Sequence, residues 1–218
     1  MNFYLESVKA AEYQELMQFA AFKGVISTPS MFTHEGLDVK AVIDDLLEVL
    51  PDNAMLFIPV IQSGFRSILK EAREIASLAP NVIPTIPFSP EGLMALKACS
   101  TLKVKAACSK ISKPEQLVFA LNNKAPILLI SKRLMNKAKT ETMMLETLKN
   151  NEDSSAEVIF YDVTDASDVG DLFAKGLKNV SLKPAAVKEI LQEANLISEI
   201  QEEKDEWIMT YTRMELFE

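Results

Sequence analysis

Three lysines stand just after apolar runs, where a strand would end: Lys110, Lys132 and Lys183. An amine in that place can condense with a carbonyl to an iminium, which accepts the electrons of a breaking carbon–carbon bond. An exposed lysine with a reference pKa of about 10.4 is mostly protonated and unreactive. Burial or a cationic neighbour is needed to change that, and Lys132, beside Arg133, comes nearest of the three. Two carboxylates, Glu6 and Asp162, close apolar runs in the same way. Sharing one site, they would split their pKa values and work as general acid and base. Separated, they are solvated strand-end carboxylates, which is the plainer expectation. Cys108 ends an apolar run with no histidine near it in sequence, and is expected to be a buried inert thiol. His34, the one histidine, lies in a THEG loop and is expected at the surface. Glu6, His34, Cys108 and Asp162 show no ligand spacing, so neither a metal nor another cofactor is expected.

The elements that would position these groups repeat one unit, clearest at 81–92, NVIPTIPFSPEG. An apolar run ends in Phe88-Ser89-Pro90-Glu91: Ser89 suits an N-cap, Pro90 a first helical residue and Glu91 a first-turn acid. Side chains alternate along a strand, so Ile83, Thr85 and Pro87 share a face on which Thr85 is the small polar member. Strands are expected at 2–5, 24–27, 54–61, 82–87, 102–108, 125–130, 156–161 and 179–182. Helical segments are expected at 9–19, 37–50, 65–78, 90–100, after the Ser112-Lys113-Pro114-Glu115 cap, and at 134–148, 165–174 and 184–191. Eight strand–helix units at roughly 25 residues each predict an eight-fold βα (TIM) barrel over 1–195. An open doubly wound sheet would want a glycine-rich turn after its first strand, and none is present. The remainder, 196–218, reads as an additional C-terminal helix.

Composition narrows the partners. A net charge of −8 and a pI near 4.9 disfavour nucleic acid and fit a cytoplasmic protein. The two cysteines form no CxxC pair, as expected of a reducing compartment. No apolar run is long enough to span a bilayer, and no signal-peptide pattern opens the chain.

In order and spacing, FYLES at 3–7, GVISTPSM at 24–31, THEGLD at 33–38, KEAREIASLAPNV at 70–82, IPFSPEGLMALK at 86–97, ISKPEQ at 111–116 and EVI at 157–159 resemble the small microbial transaldolase family, including its fructose-6-phosphate aldolases. The resemblance implies a TIM barrel and Schiff-base chemistry from a lysine on strand four. That lysine falls on Thr85, and threonine cannot form an iminium. The aspartate after strand one falls on Glu6, an asparagine beside Ser30 on Thr28, a polar strand-three residue on Pro59 and a strand-five threonine on Cys108. A strand-six aromatic falls on Ile130, and a serine–arginine phosphate grip on Asp162 and Thr164; Arg133 stands as a surviving arginine beside Lys132. Phosphate wants fixed cations or N–H donors, so an acidic mouth suits it poorly.

The expectation is a transaldolase-like barrel of carbohydrate metabolism without Schiff-base activity, acting in binding or assembly. The other expectation is a divergent aldolase for an unphosphorylated carbonyl compound, using a relocated lysine or an acid–base pair. Members of the family form rings in which the terminal helix reaches a neighbour. A helix beyond the eighth unit has no slot in the barrel, so a homo-oligomer joined through 197–216 is expected.

Overall fold

The computed structural model describes residues 1–36, 38–192 and 194–212. Eight parallel strands close on themselves in sequence order. They are β1 (Asn2–Glu6), β2 (Phe22–Ile26), β3 (Met55–Pro59), β4 (Val82–Pro87), β5 (Ala107–Ile111), β6 (Ile127–Ser131), β7 (Glu157–Val163) and β8 (Asn179–Leu182). β8 pairs with β1 through Tyr4 and Ser181, which completes the expected TIM barrel.

The helices outside it are α1 (Ala10–Leu16), α2 (Pro29–Glu35), α3 (Val39–Val49), α4 (Phe65–Ala76), α5 (Pro90–Thr101), α6 (Pro114–Asn122), α7 (Lys132–Ala138), α8 (Glu141–Lys149), α9 (Ala166–Ala174) and α10 (Pro184–Leu191), followed by α11 (Ala194–Tyr211). Proline opens α2, α5, α6 and α10, where its missing N–H costs nothing and its fixed φ suits a helix. Ser89 caps α5 by accepting the Gly92 N–H at 2.9 Å, as its sequence predicts. A side chain at Gly92 would run into the Pro87 carbonyl oxygen, so this glycine permits the close turn from β4 into α5. α6 departs from expectation: Gln116, not Ser112, closes its start, its side-chain oxygen accepting the Ser112 and Lys113 N–H groups.

Alternation along the strands divides the core. Tyr4, Ile26, Phe57, Ile83, Leu129 and Ile159 fill the barrel interior. Neighbours of opposite parity, among them Leu5, Val25, Leu56, Leu128 and Phe160, pack outward against the helices. Full burial of each such side chain contributes about 1.5–3 kcal/mol. The interior is therefore a packed plug, open to chemistry only at its ends.

Three expectations are corrected. The fifth strand is 107–111, not 102–108, because Leu102 closes α5 and Lys103 turns left-handed at φ 58. The helix expected at 134–148 is two helices, broken where Lys139 takes φ 54. The loop after the second strand contains α2. Among the described residues no helix is long and apolar enough to cross a membrane.

Candidate functional site

The C-terminal ends of the strands form a mouth whose inward positions are mostly polar. Thr85 reaches it from β4, 4% exposed, its hydroxyl donating to the Ile58 carbonyl at 3.4 Å. Thr28, after β2, is buried and shares a 3.0 Å hydrogen bond with Ser30. Pro59 ends β3 opposite Thr85 and contributes no side-chain donor.

Two interruptions of the strand pattern add charge to this ring. On β5, Ala107 faces the interior and Cys108 the helices. Lys110 then adopts φ 64, and the pairing with β6 shifts between Cys108 and Ile111. Ser109 and Lys110 consequently both line the mouth, while Ile111 packs outward. On β7, Tyr161 faces inward and Asp162 adopts φ 60, with a register shift against β8. Such bulges re-aim side chains at the rims of barrels. The left-handed conformation is sterically costly for residues with a Cβ and marks both positions as special.

Glu6 is the most constrained group of the mouth, 2% exposed. Its Oε1 accepts the Asp162 N–H at 2.7 Å and a short hydrogen bond from the Ser181 hydroxyl. Its Oε2 is buried without a partner. Burial above all, with the nearby Asp162 charge, pushes its carboxyl up to about 7; the Ser181 and Asp162 N–H hydrogen bonds and Lys183 pull the other way. Asp162 accepts from the Ser131 hydroxyl and sits 3.6 Å from the exposed Arg133 guanidinium. The Tyr161 hydroxyl lies near the Lys110 N–H and Ser131 but makes no hydrogen bond of good geometry. Lys110 Nζ is 5.8 Å from the centroid of the Tyr161 ring.

Two neighbouring spaces result. A narrow pocket of about 40 Å³ lies among Thr28, Pro59, Thr85, Ser109, Lys110 and Tyr161. A groove of about 590 Å³ adjoins it at Thr28 and includes Glu6, Ser30, His34, Arg133, Asp162 and Lys183. The structure thus brings together Glu6, Thr28, Thr85, Asp162, Ser30 and Arg133. It leaves out three others singled out in the sequence. Cys108 packs fully buried in the outer layer, and burial pushes its thiol up to about 12. Thr164 is exposed and bonds its neighbour Asp165. Lys132 is buried behind the barrel wall, 2.9 Å from Glu141 and 3.7 Å from Asp168, in a network continued by Lys175. Ile130 also faces outward, so Leu129 and Ser131 hold the inward positions of β6. Among the described residues no three of His, Cys, Asp and Glu gather as a metal site.

Tyr161, Ser131, Ser181 and Ser109 were not singled out in the sequence. Strict alternation from Ile159 points to Tyr161, and from Leu129 to Ser131, so both were available to period-two counting.

No family model matches the chain. Over 120 residues it is 27% identical to a "Probable transaldolase" of Alkaliphilus metalliredigens, covering 55% of each chain. It is 28% identical, over the same share of both chains, to a "Probable transaldolase" of Lachnoclostridium phytofermentans. The chain spans about half the length of the curated relatives it matches, and over that half it is transaldolase-like. Among solved structures, a glycerophosphodiester phosphodiesterase of Thermotoga maritima superposes with a TM-score of 0.58 at 11% identity, over 88% of this chain and 98% of that one. That likeness concerns the barrel fold alone.

Proposed function

We propose that this transaldolase-like barrel has lost Schiff-base catalysis and serves carbohydrate metabolism as a non-catalytic binding or assembly protein. The observation that carries this is Thr85. Where the resembling enzymes hold their lysine on strand four, this chain places a buried hydroxyl that donates to its own backbone. A hydroxyl cannot supply the iminium that takes up the electrons of the broken bond. The phosphate grip is replaced too: Asp162 is an acceptor where a donor is expected, and the arginine beside it, Arg133, is already engaged by that carboxylate.

One observation favours a second reading, a divergent aldolase with a relocated amine. Lys110 lines the same narrow pocket as Thr85. Its Nζ is already engaged over the Tyr161 ring, 5.8 Å from the centroid, and is not directed at a bound carbonyl. Borohydride trapping with small ketoses separates the readings. No adduct selective for Lys110 is expected; a saturable adduct there supports the aldolase.

Assembly is read from α11. Leu196, Ile197 and Ile200 are all more than half exposed along one segment of it. A second copy of the chain is the proposed cover for this apolar surface.

A further inference from the structure

The narrow pocket does not use the groove beside it, and the groove has a chemistry of its own. Lys183, Pro184 and Ala185, the start of α10, form one of its walls. No side chain caps that helix end and Pro184 carries no N–H, so the Ala185 N–H and the positive end of the dipole are what this wall offers to the groove. Beside it, at the end of the neighbouring strand β1, Glu6 also lines the groove, 2% exposed, with Oε2 buried and unpartnered. An orphaned polar atom at the wall of a groove is a place for a ligand's hydrogen bond.

Charge decides the class of ligand. Of the ionic groups lining the groove, Lys9 pairs with Glu35 and Arg133 with Asp162. Glu12 accepts the Ser7 hydroxyl. Lys183 makes no ion pair among the described residues. One unpaired cation and one helix end suit a single negative charge. A phosphate dianion would face Asp162 and Glu6 without a second free cation.

We propose that the groove binds a small hydroxy-carboxylate, its carboxylate held by Lys183 and the Ala185 N–H at the start of α10 and its hydroxyl by Glu6 Oε2. This rests on the reading of the mouth as a binding site and names what it takes. The groups facing Glu6 are Ser181 from β8, Asp162 and Tyr161 from β7, and Lys183 from the start of α10. Only Lys183 is a cation, so an ionised Glu6 would repel the bound anion, and a protonated one would donate to it. Binding therefore weakens as Glu6 loses its proton near neutrality.

Calorimetry on the full chain with glycerate, lactate and inorganic phosphate as probes, at pH 6 and pH 8, tests this. Saturable binding of glycerate is expected at pH 6, weaker by about tenfold at pH 8 and weaker by about tenfold in Lys183→Gln. In Glu6→Gln, whose amide cannot ionise, the difference between pH 6 and pH 8 is expected to disappear. Phosphate binding tighter than glycerate, glycerate affinity equal at both pH values, or no saturable binding of glycerate or lactate would each overturn the proposal. Thermal melts of both variants identify a folding defect, and the wild-type pH comparison stands independently of either variant. Turnover of sugar phosphates would instead contradict the proposed loss of catalysis and leave this result standing.

Discussion

The carboxylate of Glu6 accepts the backbone N–H of Asp162 at 2.7 Å, spanning β8 to tie the end of β1 to the left-handed turn in β7. One buried acid thus holds the conformation that delivers another acid to the mouth. The same Glu6 oxygen receives the Ser181 hydroxyl, so three strands meet at one atom.

That arrangement makes stability depend on pH. Glu6 has a folded pKa of about 7, against an ordinary value of 4.5. Between these values the folded state holds a proton that the unfolded state has released. The contribution is full below about 4.5, falls as pH rises towards 7 and is gone above it, with a slope of up to about 1.4 kcal/mol per pH unit. Urea unfolding of wild type and Glu6→Gln from pH 4.5 to 8 checks this: the variant is expected to lack that slope. An identical slope in both chains would assign it to other groups.

Installing the missing amine is expected to fail. Thr85→Lys puts an ammonium at a site that is 4% exposed and faces no carboxylate bonded to Thr85. The predicted cost is about 3 kcal/mol or more in stability. Pro59 and Asp162 would still not orient substrate or phosphate around it. Aldol turnover by this single variant would show that the rest of the site is intact.

The Lys132 network is structural on this account. Glu141 bonds both Lys132 and Lys175, which hold its carboxyl below the usual range. Glu141→Ala leaves buried Lys132 with only Asp168 at 3.7 Å. A loss of about 3 kcal/mol is expected, with ligand binding at the mouth unchanged in the folded variant. Thermal melts and calorimetry on one sample read both.

The proposed assembly is tested by light scattering on the full chain and on a chain ending at Asn195. An oligomer that dissociates on truncation is expected. A full-length monomer at micromolar concentration would remove the proposal, and an unchanged oligomer would move the contact away from α11. Leu216, included in the segment expected to make this contact, lies outside the described residues.

Much of this barrel is legible in the sequence because each strand announces itself in the same way. At 82–87 and 179–182 the expected bounds coincide with β4 and β8, each followed within three residues by a helix-opening proline. The misreadings trace to left-handed residues. Lys103 detaches 102–106 from β5, and Lys110 lets two consecutive polar residues face the mouth. Period-two counting assumes an unbroken strand, so nothing in it signals that Lys110 or Asp162 resets the alternation. Cys108 and Ile130 stand at the mouth only by the family resemblance; each is one residue from the inward neighbour, Ala107 and Leu129, that alternation selects. Glu6 was legible as a carboxylate at the mouth. Its buried pairing with Ser181 and the Asp162 N–H was not, because those partners come from the far end of the chain.

The central claim, that catalysis through a strand-four amine has gone, is tested most directly by a coupled assay of dihydroxyacetone transfer and fructose 6-phosphate cleavage on the purified full chain. Thr85 predicts no turnover above the uncatalysed background. Turnover at about 1 per second or faster, the ordinary range of enzymes, would contradict it.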